Sequence, residues 1–492
     1  MEDRFKDPRN LSLLMDAYEM TMANVLYMDD HATDRVVFDV FFRKNPDDAG
    51  FSIFAGLEQI LDYVQNFHLD EEDIEYLEGL GTFNCHFIKW LANTKFHTKI
   101  TGFAEGSICF PNEPLLTIES EAAMAQLVET YILNQVNHQS LIATKANRIV
   151  RAARGRTVAD FGARRAHGAD AAIYGARASY IGGVNSTATL FAGKMFGIPV
   201  SGTMAHSYVM IYGEEEAFMQ FADTYPDACI LLIDTYDTLK IGLPHAISTF
   251  RYLIDKIGRR PKLFGVRIDS GDLAYLSKEV RKGLDAAGFY DAKIVMSNSL
   301  DEYTIDSLLE EQHAPIDSFG VGENMITSRS CPVFGAVYKL AARLKDDNNG
   351  GFVVEPKIKL SNTVDKITNP GLKTVYRLYN KDGYITGDVI TGNQEFDISE
   401  ECVNPEMPWQ TIKFKDVAAK KMTKVLYSAT DGMTYVTFCP LEVIRNKVKE
   451  QIENELWPEV KRFRFPHQIP VYHTKAYHEM KTSLIQEELN RK

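Results

Sequence analysis

Six short apolar runs in the middle of the chain constrain its fold more than any other feature. They are TVADFG (157–162), PVSGTMAH (199–206), ACILLIDTYDT (228–238), LFGVRIDSGD (263–272), KIVMSNS (293–299) and DSFGVGENM (317–325). Each ends in polar residues and leads into a helix-like segment. Continuous apolar runs read as strands buried on both faces, and six of them alternating with helices predict a parallel α/β barrel. In such barrels the working groups sit where strands pass into loops, at the C-terminal edge. The residues predicted there are Asp160-Phe161-Gly162, His206, Asp234, Arg267 with Asp269, Ser297-Asn298, and Gly320 with Gly322. That is a vocabulary suited to sugars and phosphates.

The flanks differ. After Asn10, an expected N-cap, Leu11, Leu14, Met15, Tyr18, Met22 and Leu26 recur at helical spacing. VVFDVFF (36–42) reads as a strand, 51–67 as a helix, and 98–120 breaks into short strands at glycines and prolines. A long helical stretch runs from Glu121 to about Arg154, with a break expected near Asn134–Gln139. After Ala336 the pattern turns to β, with a hairpin around Lys381-Asp382-Gly383. From Leu441 an amphipathic helix precedes a polar tail. A chain of 492 residues is too long for one core, and roughly 150 residues per domain gives about three domains.

Charge narrows the partners. Lys and Arg number 54 against 67 Asp and Glu, a net charge of −13. Such a chain has no bulk attraction to nucleic acid or anionic membranes, so any phosphate must be held locally. MEDRFKDPRN lacks the basic start and apolar centre of a signal peptide, and no run of about 18 apolar residues exists to span a membrane. Six scattered cysteines without a C-x-x-C pair fit reduced thiols, and a cytoplasmic location is expected. The histidines show no metal-ligand spacing, so no protein-held metal site is expected.

Four constellations carry chemistry. ADFGARRAHG (159–168) fits a tight turn with surface arginines. It also fits a site in which Phe161 offers a π-face to a flat ring while Arg164 and Arg165 hold phosphate. His206 fits a packing residue at a strand end. Asp234 on the next strand also fits a carboxylate that fixes the imidazole tautomer and makes its other nitrogen a nucleophile. Asp269 and Asp272 fit a helix N-cap or an acceptor for two ribose hydroxyls. Gly320, Gly322 and Thr327 fit a loop whose N–H groups face phosphate.

With these residues in order, the chain resembles the nicotinate phosphoribosyltransferases, which are type II phosphoribosyltransferases. The similarity runs from MDAYEMTMA through ADFGARR, GVNSTA, GTMAH, IDTYDT, VRIDSGD and GVGENM to KLSNTVDKITNPGLKTVYR (359–377), most of the chain. The resemblance implies transfer of phosphoribosyl from phosphoribosyl pyrophosphate to nicotinate, coupled to ATP hydrolysis and assisted by Mg²⁺, in NAD salvage. It implies an irregular α/β barrel (141–335) with a discontinuous N-terminal α+β domain (1–140, completed by about 336–400) and a C-terminal extension (401–492). It also implies a homodimer in which each N-terminal part completes the other subunit's site.

Carried over position by position, Phe161 and the partner subunit's Tyr18 would sandwich the pyridine ring. Arg267 and Thr203 would meet nicotinate, Arg164 phosphate, and Asp269 the ribose hydroxyls. Ser297, Asn298, Gly320, Gly322 and Thr327 would form the phosphoribosyl cradle. His206 would be the phosphohistidine, oriented by Asp234. The related nicotinamide enzymes carry an acidic residue where this chain has Ser186, which favours the acid substrate here. GVGENM places Glu323-Asn324 where related sequences often show small hydroxyl residues. The rival expectations are a nicotinamide enzyme, or a non-catalytic phosphoribosyl pyrophosphate sensor.

Overall fold

The computed structural model describes residues 7–347, 351–361, 367–429 and 439–491. Residues 1–6 of the N-terminal segment and 362–366 of the 359–377 motif lie outside the described residues. Contacts divide the chain into two compact units, 142–332 and 1–141 with 333–492.

The unit formed by 142–332 holds six parallel strands: β1 (Thr157–Asp160), β2 (Ser186–Thr187), β3 (Cys229–Leu232), β4 (Phe264–Ile268), β5 (Lys293–Ser297) and β6 (Ser318–Val321). Their spatial order is β2-β1-β6-β5-β4-β3, a curled half-barrel that realises the expected irregular α/β barrel. One expected strand is absent. Residues 199–206 contribute only an isolated bridge, Thr187 to Val200, and the sixth strand is Ser186–Thr187. The glycine and small polar residues of VSGTMA favour a loop, whereas Ser186 and Thr187 pair with Ala159 and Asp160.

Helices cover this sheet. The Leu243–Ile257 helix has proline in its first turn and stops at Gly258 in the left-handed conformation. Its Phe250 meets Phe264 of β4 and Phe289 edge-on, with centroids 5.1 and 5.6 Å away. Burying each such ring contributes about 1.5–3 kcal/mol. Asp272 caps the Leu273–Ala286 helix by accepting the Tyr275 N–H at 2.9 Å. Asp272 is thus the N-cap, while Asp269 remains at the strand end.

The other unit contains two six-stranded sheets. One is antiparallel throughout and centres on Arg35–Phe41, flanked by Leu116–Glu121 and Val337–Asp346. The second pairs Thr374–Asn380 with Ile385–Thr391 in the expected hairpin and adds Val417–Lys421, Cys402–Asn404, Met407–Ile412 and Val471–Thr474. Two expectations are corrected here. The first helix starts at Ala17 after Asp16, because Asn10 instead closes a turn onto the Ser12 N–H. The long helical stretch breaks at Val128, and Glu129–Ala152 is continuous through 134–139, where Gln139 bonds Gln135 and Gln59. Within the polar tail, Val471–Thr474 joins the sheet and leads into the Lys475–Asn490 helix.

The apolar row around the first helix is split between core and surface: Leu11, Met15 and Leu26 are partly buried and pack against the core. Ala23, Met20 and Glu19 are buried, while Leu14, Tyr18, Met22, Val25 and Met28 are exposed, Tyr18 to 47%. Burial on the inner side is completed by small residues and one carboxylate. Spacing alone therefore does not tell which members of the row are buried.

Candidate active site

Because all six strands are parallel, Asp160, Ser186, Asp234, Asp269, Ser297 and Gly322 fall at one edge of the sheet. Asp160 is buried and accepts from the Gly162 N–H and the Thr187 hydroxyl, both at 2.8 Å. Burial pushes its pKa up despite those two bonds. The pair of bonds fixes the turn that presents Phe161. The ring lies against Gly320, where a Cβ would stand 2.3 Å from Cε2. Gly320 is therefore a strand residue that makes room for Phe161, in place of the expected cradle-loop residue. Gly322 is in the loop, and its added Cβ would meet the Phe161 carbonyl oxygen at 3.1 Å.

Arg267 projects from β4 with its guanidinium carbon 6.0 Å from the Phe161 ring centre. One Nη1 donates to the Thr203 hydroxyl at 2.6 Å and to the Met204 carbonyl at 3.2 Å. Its Nε is buried and has no hydrogen-bond partner. Burial lowers its pKa, and the nearby Asp269 and Asp234 offset this. A buried guanidinium with an unspent donor beside an aromatic face is prepared for an anionic planar ligand. Arg164 lies exposed on the 163–165 turn with no ion-pair or hydrogen-bond partner among the described residues, while Arg165 approaches Glu323 at 3.7 Å.

His206 opens a helix (His206–Tyr212) and does not end a strand, so the expected pairing with Asp234 across adjacent strands does not form. Its Nδ1 contacts the Thr235 hydroxyl at 3.1 Å, and Nε2 lies 4.0 Å from Asp269 Oδ2. Asp234 uses Oδ2 to accept from the Asp269 N–H at 2.9 Å and the Ser270 hydroxyl at 2.6 Å, fixing the turn after β4. Its Oδ1 is buried without a partner. Asp269 in turn accepts from the Ser297 hydroxyl. Thus Asp234, Asp269 and Ser297 form a relay across β3, β4 and β5.

Asn298 is exposed with φ of 104°, and Ser299 follows at 47°. Thr327 donates its hydroxyl to the Glu323 carbonyl at 2.7 Å. Ser186 is nearly buried, its hydroxyl 2.7 Å from that of Ser201. Tyr18 belongs to the other unit, where burial and nearby carboxylates, Glu129 first, push its pKa up to about 12. Sequence reasoning missed Thr235, Ser270, Ser201 and Asp160's bonding role. The first two stand beside Asp234 and Asp269 in the same motifs, so proximity in sequence was the available signal.

Carboxylates, hydroxyls and a guanidinium around an aromatic ring, at the C-terminal edge of a parallel sheet, define the α/β class that binds small phosphorylated ligands there. Comparison with known proteins narrows the class. The nicotinate phosphoribosyltransferase family model matches residues 157–393, and its N-terminal and C-terminal domain models match 13–137 and 372–481. Nicotinate phosphoribosyltransferase of Bacillus subtilis (strain 168) is 40% identical over 476 residues, 96% of this chain and 94% of that protein. The Caenorhabditis elegans nicotinate phosphoribosyltransferase is 35% identical over 520 residues, covering 92% and 90%. The crystal structure of human nicotinic acid phosphoribosyltransferase superposes with a TM-score of 0.82 at 26% identity, covering 96% of this chain and all of that one. The chain belongs to the nicotinate phosphoribosyltransferase family.

Proposed function

We propose that the site transfers phosphoribosyl from phosphoribosyl pyrophosphate to nicotinate, releasing pyrophosphate and forming nicotinate mononucleotide for NAD salvage. The observation that carries this assignment is the buried, unpartnered Nε of Arg267 beside Phe161. A nicotinate carboxylate would satisfy that donor while the ring stacks on Phe161. The ring nitrogen is itself the nucleophile, so no general base is required. Asp269, steadied by Ser297, is positioned to accept ribose hydroxyls, and the unpaired Arg164 is free for phosphate. The bond broken is C1–O to pyrophosphate, through a transition state with oxocarbenium character. What the protein must supply is alignment and stabilisation of the leaving charge. Ser186 and Ser201 present neutral hydroxyls, which tolerate an anionic substrate.

Mg²⁺ takes oxygen ligands and keeps substrate phosphates and water in its shell. The buried, unpartnered Oδ1 of Asp234 and the half-exposed Asp269 fit that preference and would hold it. When bound, the ion would neutralise charge on the leaving pyrophosphate. ATP coupling is assigned to His206: with Nδ1 engaged by Thr235, Nε2 is the nitrogen available to take the γ-phosphoryl group as ADP leaves. The exposed row Leu14, Tyr18, Met22, Val25 and Met28 supports a homodimer that delivers Tyr18 to the partner's ring site. Six scattered cysteines without a C-x-x-C pair support a reducing, cytoplasmic setting, and no helix among the described residues is long and apolar enough to cross a membrane.

The test is pyrophosphate release on mixing protein, nicotinate and phosphoribosyl pyrophosphate, with ATP raising the rate. Radiolabel from the γ-phosphate of ATP should appear as an acid-labile, base-stable phosphoprotein, and His206→Ala should abolish it while keeping slow ATP-independent transfer. Undiminished label in His206→Ala would move the acceptor elsewhere. Equal turnover of nicotinamide would remove the role given to Arg267.

A further inference from the structure

The two loops that follow β5 and β6, which carry Asn298 and Thr327, are tied to each other at two places. The first loop carries Asn298 and Ser299 at φ of 104° and 47°, a conformation that side-chain-bearing residues hold only when their surroundings impose it. Asn324, in the short helix after β6, donates from Nδ2 to the carbonyls of Ser299 at 2.8 Å and Leu300 at 3.3 Å. Glu302 ends the same loop, fully buried, and accepts from Lys145 Nζ at 2.9 Å and Arg148 Nε at 2.7 Å. Lys145 Nζ also donates to the Ser330 hydroxyl at 2.7 Å, beyond the second loop. The Asn324 amide therefore bridges the two loops directly, and the Lys145 ammonium ties their far ends, Glu302 and Ser330.

We propose that Asn324 and Lys145 are positioning residues that lock these loops into one cradle for phosphoribosyl pyrophosphate. This rests on the reaction assigned above. A substrate phosphate held by both loops needs their separation fixed, because a displacement of about 1 Å costs on the order of a hundredfold in rate. The Asn324 position, occupied here by an amide rather than a small hydroxyl residue, acquires a physical role. Its two N–H groups satisfy consecutive carbonyls of a strained turn, which a hydroxyl with one hydrogen cannot do. Asn324 is part-exposed, so water replaces its bonds when it is removed and the fold survives. Lys145 faces a buried carboxylate, so its removal tests folding as well as function.

The experiment is steady-state kinetics of the full-length protein with each substrate varied in turn. Asn324→Ala is expected to raise the KM for phosphoribosyl pyrophosphate about tenfold, leaving the KM for nicotinate within about threefold. Asn324→Asp keeps the shape but has no donors and sets a carboxylate against two carbonyls, so it should raise the same KM further. Lys145→Met should act in the same direction wherever it folds, as checked by circular dichroism. An unchanged KM for phosphoribosyl pyrophosphate in both Asn324 variants, or an equal rise for nicotinate, overturns the proposal. Wild-type protein that releases no pyrophosphate overturns the reaction itself, and the cradle with it. Active wild type with unaffected Asn324 variants overturns the cradle alone.

Discussion

Arg267 and Arg377 are each held inside one of the two units, and their surroundings separate a working charge from a structural one. Arg377 has no exposed side-chain surface and gives Nε and Nη2 to Asp388, equally buried, at 3.0 and 2.7 Å. Phe110 lies under the guanidinium at 5.0 Å, and Asp388 with Glu113 helps hold its pKa up against burial. Each guanidinium keeps one buried nitrogen unpartnered, Nε in Arg267 and Nη1 in Arg377, but Arg267 donates to a hydroxyl and a carbonyl where Arg377 donates to a carboxylate. A charge paired inside a sheet stabilises the sheet it joins, here Thr374–Asn380 with Ile385–Thr391. A charge whose donors go to neutral oxygens at a sheet's edge is available to an anionic ligand.

The comparison is broken most directly at Arg377. Arg377→Met leaves Asp388 buried without its cation, so unfolding in urea should show a loss of about 3–5 kcal/mol, with turnover per folded molecule unchanged. An unaltered midpoint would make that pair dispensable. Arg267→Lys is the converse: kcat/KM for nicotinate should fall roughly a hundredfold, about 2–3 kcal/mol, with stability changed by less than about 1 kcal/mol. A destabilised Arg267→Lys protein would make Arg267 structural too.

Glu19 sharpens the comparison from the acidic side. Its carboxylate accepts from the Thr130 N–H and hydroxyl, but burial and the neighbouring Glu129 and Asp16 push its pKa from 4.5 up to about 7. Between those two values the folded protein binds more protons than the unfolded chain. Stability due to this group is therefore full below 4.5 and is lost as pH rises to about 7. Glu19→Gln should be neutral near pH 4 and stabilising by about 1–3 kcal/mol at pH 8, in paired denaturation curves. A constant difference at both pH values would show that the carboxylate does not titrate in this window.

The smallest effect is expected at Tyr18, an exposed ring in the same unit as Arg377. Tyr18→Ala should lower kcat/KM for nicotinate about tenfold, within the roughly 1–3 kcal/mol of one stacked face, without loss of fold. Mixing it with Asp269→Ala should recover activity through hybrid dimers. Subunit exchange without recovery would place both residues in one subunit's site.

Much of the fold was legible because the cues were local. The runs at 157, 228, 263, 293 and 317 became strands, and the Lys381-Asp382-Gly383 turn became a hairpin. Asp269, Arg267 and Ser297 fell at strand ends as the pattern required. The 199–206 run misled because its apolar residues are interrupted by Ser201 and Gly202, and only Val200 found a bridge. The first helix misled because spacing names an apolar face without saying what covers it. Burial of Glu19 and exposure of Tyr18 depend on Thr130 and the elements packed around them.

The sequence by itself determined which residues reach the working edge, since strand polarity and the end of each apolar run are properties of neighbouring residues. Only the tertiary structure decided which of them touch. His206 meets Thr235 rather than Asp234, Gly320 lies under Phe161, and Asn324 reaches Ser299. The reason is that the sheet is ordered β2-β1-β6-β5-β4-β3. Contacts at its edge join residues tens of positions apart, and their partners are set by strand adjacency and loop path, which local periodicity does not encode.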